Sequence, residues 1–282
     1  MPKSPQSSIC RVSARQVQQN FITYFRLFAG LPGITFFEKD LTWIASRGLP
    51  GNLVLRSQLP DGQADLGIRA TLRQIGELTD QVDWFVFPEC QPSDLGDRLA
   101  ALGDSADLDG EWNLYGNIGG PGGTWMCADL NALPSTVSAP AGFHVERVSN
   151  QTMLNEWVEI SARGFGGSDY SAFHAAYSRH GFEPDAQAVH FIGYLEDQAV
   201  TSATLLMTEE SASLYNVSTP VELRRQGFGG AVSHATLQEA VQRGYDSAWI
   251  WSSSLGKSVY EKLGFFVTDY GVREYQWKKR SQ

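Results

Sequence analysis

The stretch RRQGFGG, residues 224–230, sets two arginines beside three glycines, and an unbroken run follows as far as Gly244. That run reads as a helix with the glycines at its mouth. A helix N-terminus presents four unpaired N–H groups and the positive end of the helix dipole, which together attract anions. Gly227, Gly229 and Gly230 carry no Cβ, so a phosphate can approach the backbone closely. Each glycine also costs a helix about 1 kcal/mol relative to alanine. Arg224 and Arg225 add positive charge and fork-shaped donors at the same point. The chemistry these residues suit is phosphate binding, with a plain strand-to-helix turn as the alternative. Two common phosphate motifs do not fit. The Lys-Ser/Thr pair of a P-loop is missing, and the next strand ends in Ser252-Ser253-Ser254, where a dinucleotide site wants an acid.

The elements that must position this cluster can be read on either side of it. SNQTMLNEWVEISAR, near 150–164, reads as a helix. GFGGSDYSAFHAAYSRHGFEPD, within 164–185, reads as a glycine-rich loop whose aromatics are Phe165, Tyr170, Phe173 and Tyr177. Three strands are predicted at 189–196, 199–207 and 211–219, joined as an antiparallel meander. The helix 227–243 then leads to a strand at 246–254, on which Trp249 and Trp251 share one face and Ala248 and Ile250 the other. A helical crossover makes strands 211–219 and 246–254 parallel. LGKSVYEKLGFF reads as a short helix closed at Gly264, and REYQWKK, 273–279, as a final strand.

The earlier half of the chain is less legible. VDWFVFP reads as a strand and QPSDLGDRLAALGD as a helix capped by Ser93 or Asp94 and ended by Gly103. GNIGGPGGTW, 116–125, reads as a flexible loop or hairpin. NALPSTVSAPAG, 131–142, is uncharged and rich in Pro, Ser and Ala, which suits an exposed connector. It predicts a division into 1–130, a linker 131–142, and 143–282.

The chain has 282 residues, of which 42% are hydrophobic and 19% charged, so it is globular. A net charge of −9 excludes a general nucleic-acid binder and suits a cationic partner. Three widely spaced cysteines predict neither a disulfide framework nor a zinc site. No signal-peptide pattern or membrane-length apolar run is present, so a soluble, cytoplasmic protein is expected. His144, His190 and His234 are scattered and read as structural.

NVSTPVELRRQGFGG followed by WIWSSSLGKSVYEKLGFF resembles the GNAT superfamily of acyl-CoA-dependent N-acyltransferases. The likeness rests on Arg224, Gly227 and Gly229 at the mouth of the central helix, and on Tyr260 just before Gly264-Phe265. DWFVFPECQPSDLGDRLAALG carries a weaker likeness to the degenerate GNAT-like half of two-domain members, without a coenzyme A motif. The resemblance implies an α/β (α+β) fold, in tandem. Its sheet is mixed and mostly antiparallel, with a central, splayed parallel strand pair and flanking helices.

The resemblance also implies acetyl-CoA as co-substrate, no metal, and a primary amine of a small molecule or peptide as acceptor. Homodimerisation stays open, as does a non-catalytic acyl-CoA sensor. The cofactor contacts it implies are Val217, Ser218 and Thr219 on the strand edge, and Arg224, Arg225, Gln226, Gly227, Phe228, Gly229 and Gly230 at the helix mouth. Where many members have Asn, this chain has SSSLGKS, which puts Ser253 and Ser258 at the cofactor. A backbone N–H near Val217 is implied to polarise the thioester carbonyl. Tyr260 is implied to be the general acid, since a phenol of pKa about 10 matches an alkyl thiol. Candidates for the base are Glu209, Glu210, Tyr215, Asp169, His174 and His180, or a water relay.

Overall fold

The computed structural model describes residues 11–103, 112–117 and 123–279. The loop or hairpin expected at 116–125 falls largely outside the described residues. In chain order the earlier elements are α1 (Ala14–Arg26), β1 (Ile34–Glu38), β2 (Leu41–Ser46), β3 (Leu53–Ser57), α2 (Ala64–Gly76), β4 (Gln81–Val86), α3 (Leu95–Gly103), β5 (Trp112–Asn117) and β6 (Thr124–Asp129). There follow β7 (Phe143–Arg147), α4 (Gln151–Gly164), α5 (Ser171–His180), β8 (Ala188–Leu195), β9 (Gln198–Met207) and β10 (Ala212–Ser218). Last come α6 (Phe228–Gln242), β11 (Ser247–Ser252), α7 (Lys257–Lys262), β12 (Phe266–Val267) and β13 (Arg273–Lys279).

The chain forms two compact units. One comprises Met1–Asn20 with Gly123–Thr268, the other Phe21–Gly122 with Asp269–Gln282. This differs from a division at 131–142. Two strands account for the difference. β6 precedes the supposed connector, yet it pairs antiparallel with β11 and β12. β13 ends the chain, yet it pairs with β4 and β5. The connector itself is pinned: Leu133 and Val137 pack on the core, and His234 Nε2 lies 2.6 Å from the Pro134 carbonyl oxygen.

In the first unit a seven-stranded sheet runs β12-β6-β11-β10-β9-β8-β7. The predicted meander is β8-β9-β10, antiparallel throughout. β10 and β11 are parallel, as the crossover requires. One face, through Leu214, Ala248 and Ile250, packs on Val232 and Leu237 of α6 and on Tyr260 and Leu263 of the α7 segment. α4 is started by Asn150, whose side chain accepts the Met153 N–H at 3.0 Å, a normal N-cap. Its Leu154, Trp157 and Ile160 are buried at helical spacing.

The loop expected across 164–185 contains a helix instead. Asp169 Oδ1 accepts the Ser171 N–H at 2.8 Å at the start of α5, and Gly181, at φ +75°, ends it. Tyr170, Phe173 and Tyr177 are buried in its packing, while Phe165 is exposed. Cysteine usage also differs from expectation. Cys90 is buried, and Cys127 is disulfide-bonded.

In the second unit the sheet order is β1-β2-β3-β4-β13-β5, with β3 and β4 parallel across α2. There the crossover from β3 through α2 to β4 follows the same βαβ logic as the first sheet.

Candidate active site

The site is built where β10 meets α6. β10 and β11 pair in register only at Ala212↔Ala248 and Ser213↔Trp249. Beyond that point they part, although β10 continues to Ser218 and β11 to Ser252. The opening lies toward the C-terminal ends of two parallel strands, where open α/β sheets place their ligands.

Between Tyr215 and Ser218 the pairing of β10 with β9 shifts register. Asn216 and Val217 there stand opposite a single β9 residue, so β10 carries a bulge. Asn216 sits at φ +48°, a left-handed conformation. Ser218 is buried, its hydroxyl donating to the Ser161 carbonyl at 3.2 Å and its own carbonyl accepting the Thr201 hydroxyl at 2.6 Å. Thr219 shares a 2.9 Å hydroxyl contact with Thr201. Of the three expected strand-edge contacts, Val217 therefore offers backbone, while Ser218 and Thr219 use their side chains internally.

The mouth of α6 is open. Among the described residues no hydrogen bond satisfies the N–H groups of 225–230, and the first amide with an acceptor is Ala231, bonded to the Gly227 carbonyl at 3.0 Å. A Cβ at Gly229 or Gly230 would meet nothing nearer than 3.6 Å. Packing does not demand those two glycines, so they leave the row of amides accessible. Gly227 is different. It is the N-cap at φ +93°, and its Cβ would lie 3.0 Å from the Ser138 carbonyl oxygen. Arg225 also has positive φ, +65°.

Arg224 is a brace. Its Nε donates to the Thr219 carbonyl at 3.0 Å and its Nη2 to the Gly164 carbonyl at 2.9 Å. Arg225 and Gln226 are exposed, and the Phe228 side chain is buried against Phe143. A row of donors with an exposed guanidinium beside it fits a pyrophosphate.

Tyr260 lies one helix away. Val259 Cγ1 is 3.6 Å from the Cβ position of Gly230, which sets α7 against the first turn of α6. Tyr260 is 6% exposed, and burial pushes its hydroxyl well above the usual phenol range, with Ser233 pulling the other way. Gly256 makes room for it, because a Cβ there would stand 2.9 Å from the Tyr260 ring. Ser253 caps the turn into α7, its Oγ accepting the Gly256 N–H at 3.3 Å. Ser258 is exposed on α7.

The candidate bases are dispersed. Glu209 and Glu210 occupy the β9–β10 turn at the opposite end of β10, a strand about 20 Å long at strand rise. Tyr215 donates to Asn20 Oδ1 at 3.0 Å, and burial holds its hydroxyl far above the usual range. Bonds from Ser171 lower the Asp169 carboxyl. His174 Nε2 is 2.7 Å from Gln151 and 2.9 Å from Asn155, and His180 is exposed at the end of α5. The structure brings none of the six to Tyr260 by a hydrogen bond. His190, read as structural, is buried with its pKa pushed down to about 3 by desolvation, so its ring is neutral.

Sequence reasoning missed Gly164. A Cβ there would fall 1.8 Å from Ser218 Oγ, so only glycine lets the end of α4 meet the end of β10. An isolated glycine at the close of a helix was the available signal. Among the described residues no cluster of His, Cys, Asp and Glu could hold a metal, and no helix is long and apolar enough to cross a membrane. An open groove of about 380 Å3, lined by Arg47, Glu77, Thr79, Asp80 and Lys279, shares no residue with this site.

A family model described as FR47-like protein matches residues 191–277, the segment that holds the open strand pair, the α6 mouth and Tyr260. Among curated proteins no sequence matches the chain. Among solved structures, a GCN5-related N-acetyltransferase from Kribbella flavida is similar at 15% identity and TM-score 0.61, over 96% of each chain. A tandem GNAT protein of the clavulanic acid biosynthesis pathway is similar at 14% identity and TM-score 0.56, over 96% of this chain and 98% of that one. A GCN5-related N-acetyltransferase from Sphaerobacter thermophilus has 12% identity and TM-score 0.56, over 92% and 84%. The chain thus has the fold of the GCN5-related N-acetyltransferases, in tandem form, with an FR47-like segment at the candidate site.

Proposed function

We propose that the protein transfers the acetyl group of acetyl-CoA to a primary amine carried by a small molecule or a peptide. One observation carries this reading: the gap between β10 and β11 ends at a row of six amides, residues 225–230, that no described residue satisfies, beside an exposed arginine. Acetyl-CoA supplies an acyl group activated as a thioester. The amides and Arg225 hold the pyrophosphate, while Arg224 fixes the loop that presents them. The backbone edge at Val217 to Thr219 aligns the amide-rich pantetheine arm, and Ser253 and Ser258 flank it. The Val217 N–H polarises the carbonyl, a role whose loss typically costs about 10²–10³ in rate.

Tyr260 Oη gives its proton to the departing sulfur. Burial keeps that proton in place throughout the pH range in which an alkylamine becomes neutral. The amine loses its proton to water. The net charge of −9 favours a cationic acceptor. A cytoplasmic location without nucleic-acid or membrane partners belongs to the same reading.

Thermal unfolding with and without acetyl-CoA tests it. At 100 times the dissociation constant the ligand adds about 2.7 kcal/mol, which corresponds to a rise of about 5–10 °C. No rise in ligand-free protein sinks the reading. The dispersal of the bases favours one second reading, a non-catalytic acyl-CoA sensor. Tyr260→Phe separates the two. Under the enzymatic reading it lowers thiol release about 10²-fold or more without weakening acetyl-CoA binding. A sensor binds acetyl-CoA and releases no thiol in either form.

A further inference from the structure

The buried polar side chains of α6 are Ser233, His234 and Thr236. Two of them are satisfied. His234 Nε2 lies 2.6 Å from the Pro134 carbonyl oxygen, and the Thr236 hydroxyl donates back to the Val232 carbonyl at 2.8 Å, the usual outlet for a hydroxyl inside a helix. Ser233 differs. It is fully buried, yet among the described residues its hydroxyl makes no hydrogen bond of normal geometry, not even to its own helix. Such an orphan destabilises a folded chain, and alanine here would favour the helix and leave none. Packing alone gives no reason for the hydroxyl.

Its polar neighbour is Tyr260. Gly230 faces Val259 of α7. Ser233 follows Gly230 by three residues on the same side of α6, and there it meets Tyr260. The phenol is held in place by its surroundings. The Tyr260 carbonyl accepts the Leu263 and Phe265 N–H groups at 2.9 and 3.0 Å, and Phe265 packs edge-on to the ring at 5.7 Å. Loss of the Tyr260 proton would leave a phenolate in this buried place, which is costly without a donor. The Ser233 hydroxyl is an uncommitted donor beside it and eases the ionisation that burial opposes. A hydrogen bond to a charged oxygen is about twice as strong as one between neutral groups, so this contact strengthens as charge develops.

We infer that Ser233 is a positioning residue for proton transfer from Tyr260, its hydroxyl turning to donate to Tyr260 Oη as that oxygen becomes anionic. The inference rests on the proposed acyl-transfer reading. In that step the Tyr260 O–H bond breaks and an S–H bond forms on the departing sulfur, which takes the electron pair of the C–S bond. Ser233 keeps its own proton and acts through Tyr260. The phenolate is reprotonated from the water that received the proton of the amine.

A double-mutant cycle in the full chain tests this, with Ser233→Ala, Tyr260→Phe and the two combined. Thiol release from acetyl-CoA is followed with a panel of primary alkylamines. Ser233→Ala should lower kcat about tenfold and leave KM and the acetyl-CoA dissociation constant within about twofold. In the Tyr260→Phe background it should add nothing to the loss. An equal fall in both backgrounds overturns the inference, as does an unchanged kcat in the single variant.

A second readout needs no turnover. A fluorinated tyrosine at position 260, whose phenol ionises at lower pH than that of tyrosine, is titrated by absorbance in the full chain. Ser233→Ala should move its midpoint up by about one pH unit, the equivalent of a tenfold change. An unchanged midpoint overturns the contact. Failure of the unsubstituted chain to release thiol to any amine would sink the acyl-transfer reading, and the titration would still decide whether Ser233 serves Tyr260.

Discussion

The two sheets carry the same βαβ core, yet only one keeps it open. In the seven-stranded sheet the parallel pair β10 and β11 parts after Ser213 and Trp249. In the six-stranded sheet the parallel pair β3 and β4 also shows two ladder positions, Leu53↔Asp83 and Val54↔Trp84. There, however, the chains rejoin at a Gln58↔Gln91 bridge, with Gln91 N–H bonded to Ser57 O and Leu59 N–H to Gln91 O. The two helix mouths differ in the same sense. α6 begins on glycine beside Arg225. α2 begins beside Asp61 and Asp65, both bridged to Arg98, and a Cβ at its Gly67 would press on Leu59 at 2.8 Å. An acid-capped, filled mouth repels the anion that an open, basic mouth attracts. α3, which follows β4 as α7 follows β11, contains no tyrosine. A shared topology supplies a place for a site, and local residues decide whether a site is there.

Breaking the open mouth should have the largest effect. Gly229→Asp puts a carboxylate and a Cβ into the amide row, and acetyl-CoA affinity should fall about 100-fold or more. The matching change in the other unit, Gly62→Asp, meets nothing within 4 Å and should leave affinity unaltered. Calorimetric titration of both variants checks this, and equal effects would erase the distinction between the two mouths.

Gly164→Ala should cost about 1–3 kcal/mol of stability by overpacking, since its methyl group collides with Ser218. Affinity should fall as well, because the Gly164 carbonyl anchors Arg224. A denaturant midpoint unchanged from the unsubstituted chain would show that α4 and β10 separate freely.

Acid should distinguish the units more gently. His190 has a folded pKa of about 3, below its unfolded value. Its contribution is present above about pH 6.5 and is lost as pH falls toward 3, by at most about 1.4 kcal/mol per pH unit. All five histidines lie in the 123–268 segment. In the other unit, burial raises the Asp83 carboxyl despite its bonds to Gln276 and the nearby Lys278. A raised folded value contributes stability below the unfolded pKa and loses it as pH rises, the opposite sign. Hydrogen exchange between pH 6.5 and 4.5 should therefore show β8 and β9 loosening relative to β3 and β4. Parallel loosening of both would remove His190 as the cause.

The parts of the site legible in the sequence are those fixed by neighbouring residues. The α6 mouth, the β8–β10 meander, the two faces of β11 and the helix bearing Tyr260 follow from glycine placement, caps and periodicity, all of which act within a few residues. The loop expected at 164–185 failed by the same logic: SAFHAAYSRH holds no breaker, and the flanking glycines masked a ten-residue helix.

What the tertiary structure alone decided is partnership. Alternation says that β6 and β13 are strands, but hydrogen bonding to a distant neighbour chooses the sheet, and it assigns each to the half of the chain that does not contain it. Arg224 reads as a ligand from its position and becomes a brace only once the Thr219 and Gly164 carbonyls are brought to it. The bulge at Asn216 is tied to Tyr177, 39 positions away in the chain. No local pattern records such contacts, because their energy exists only after the chain has closed those loops.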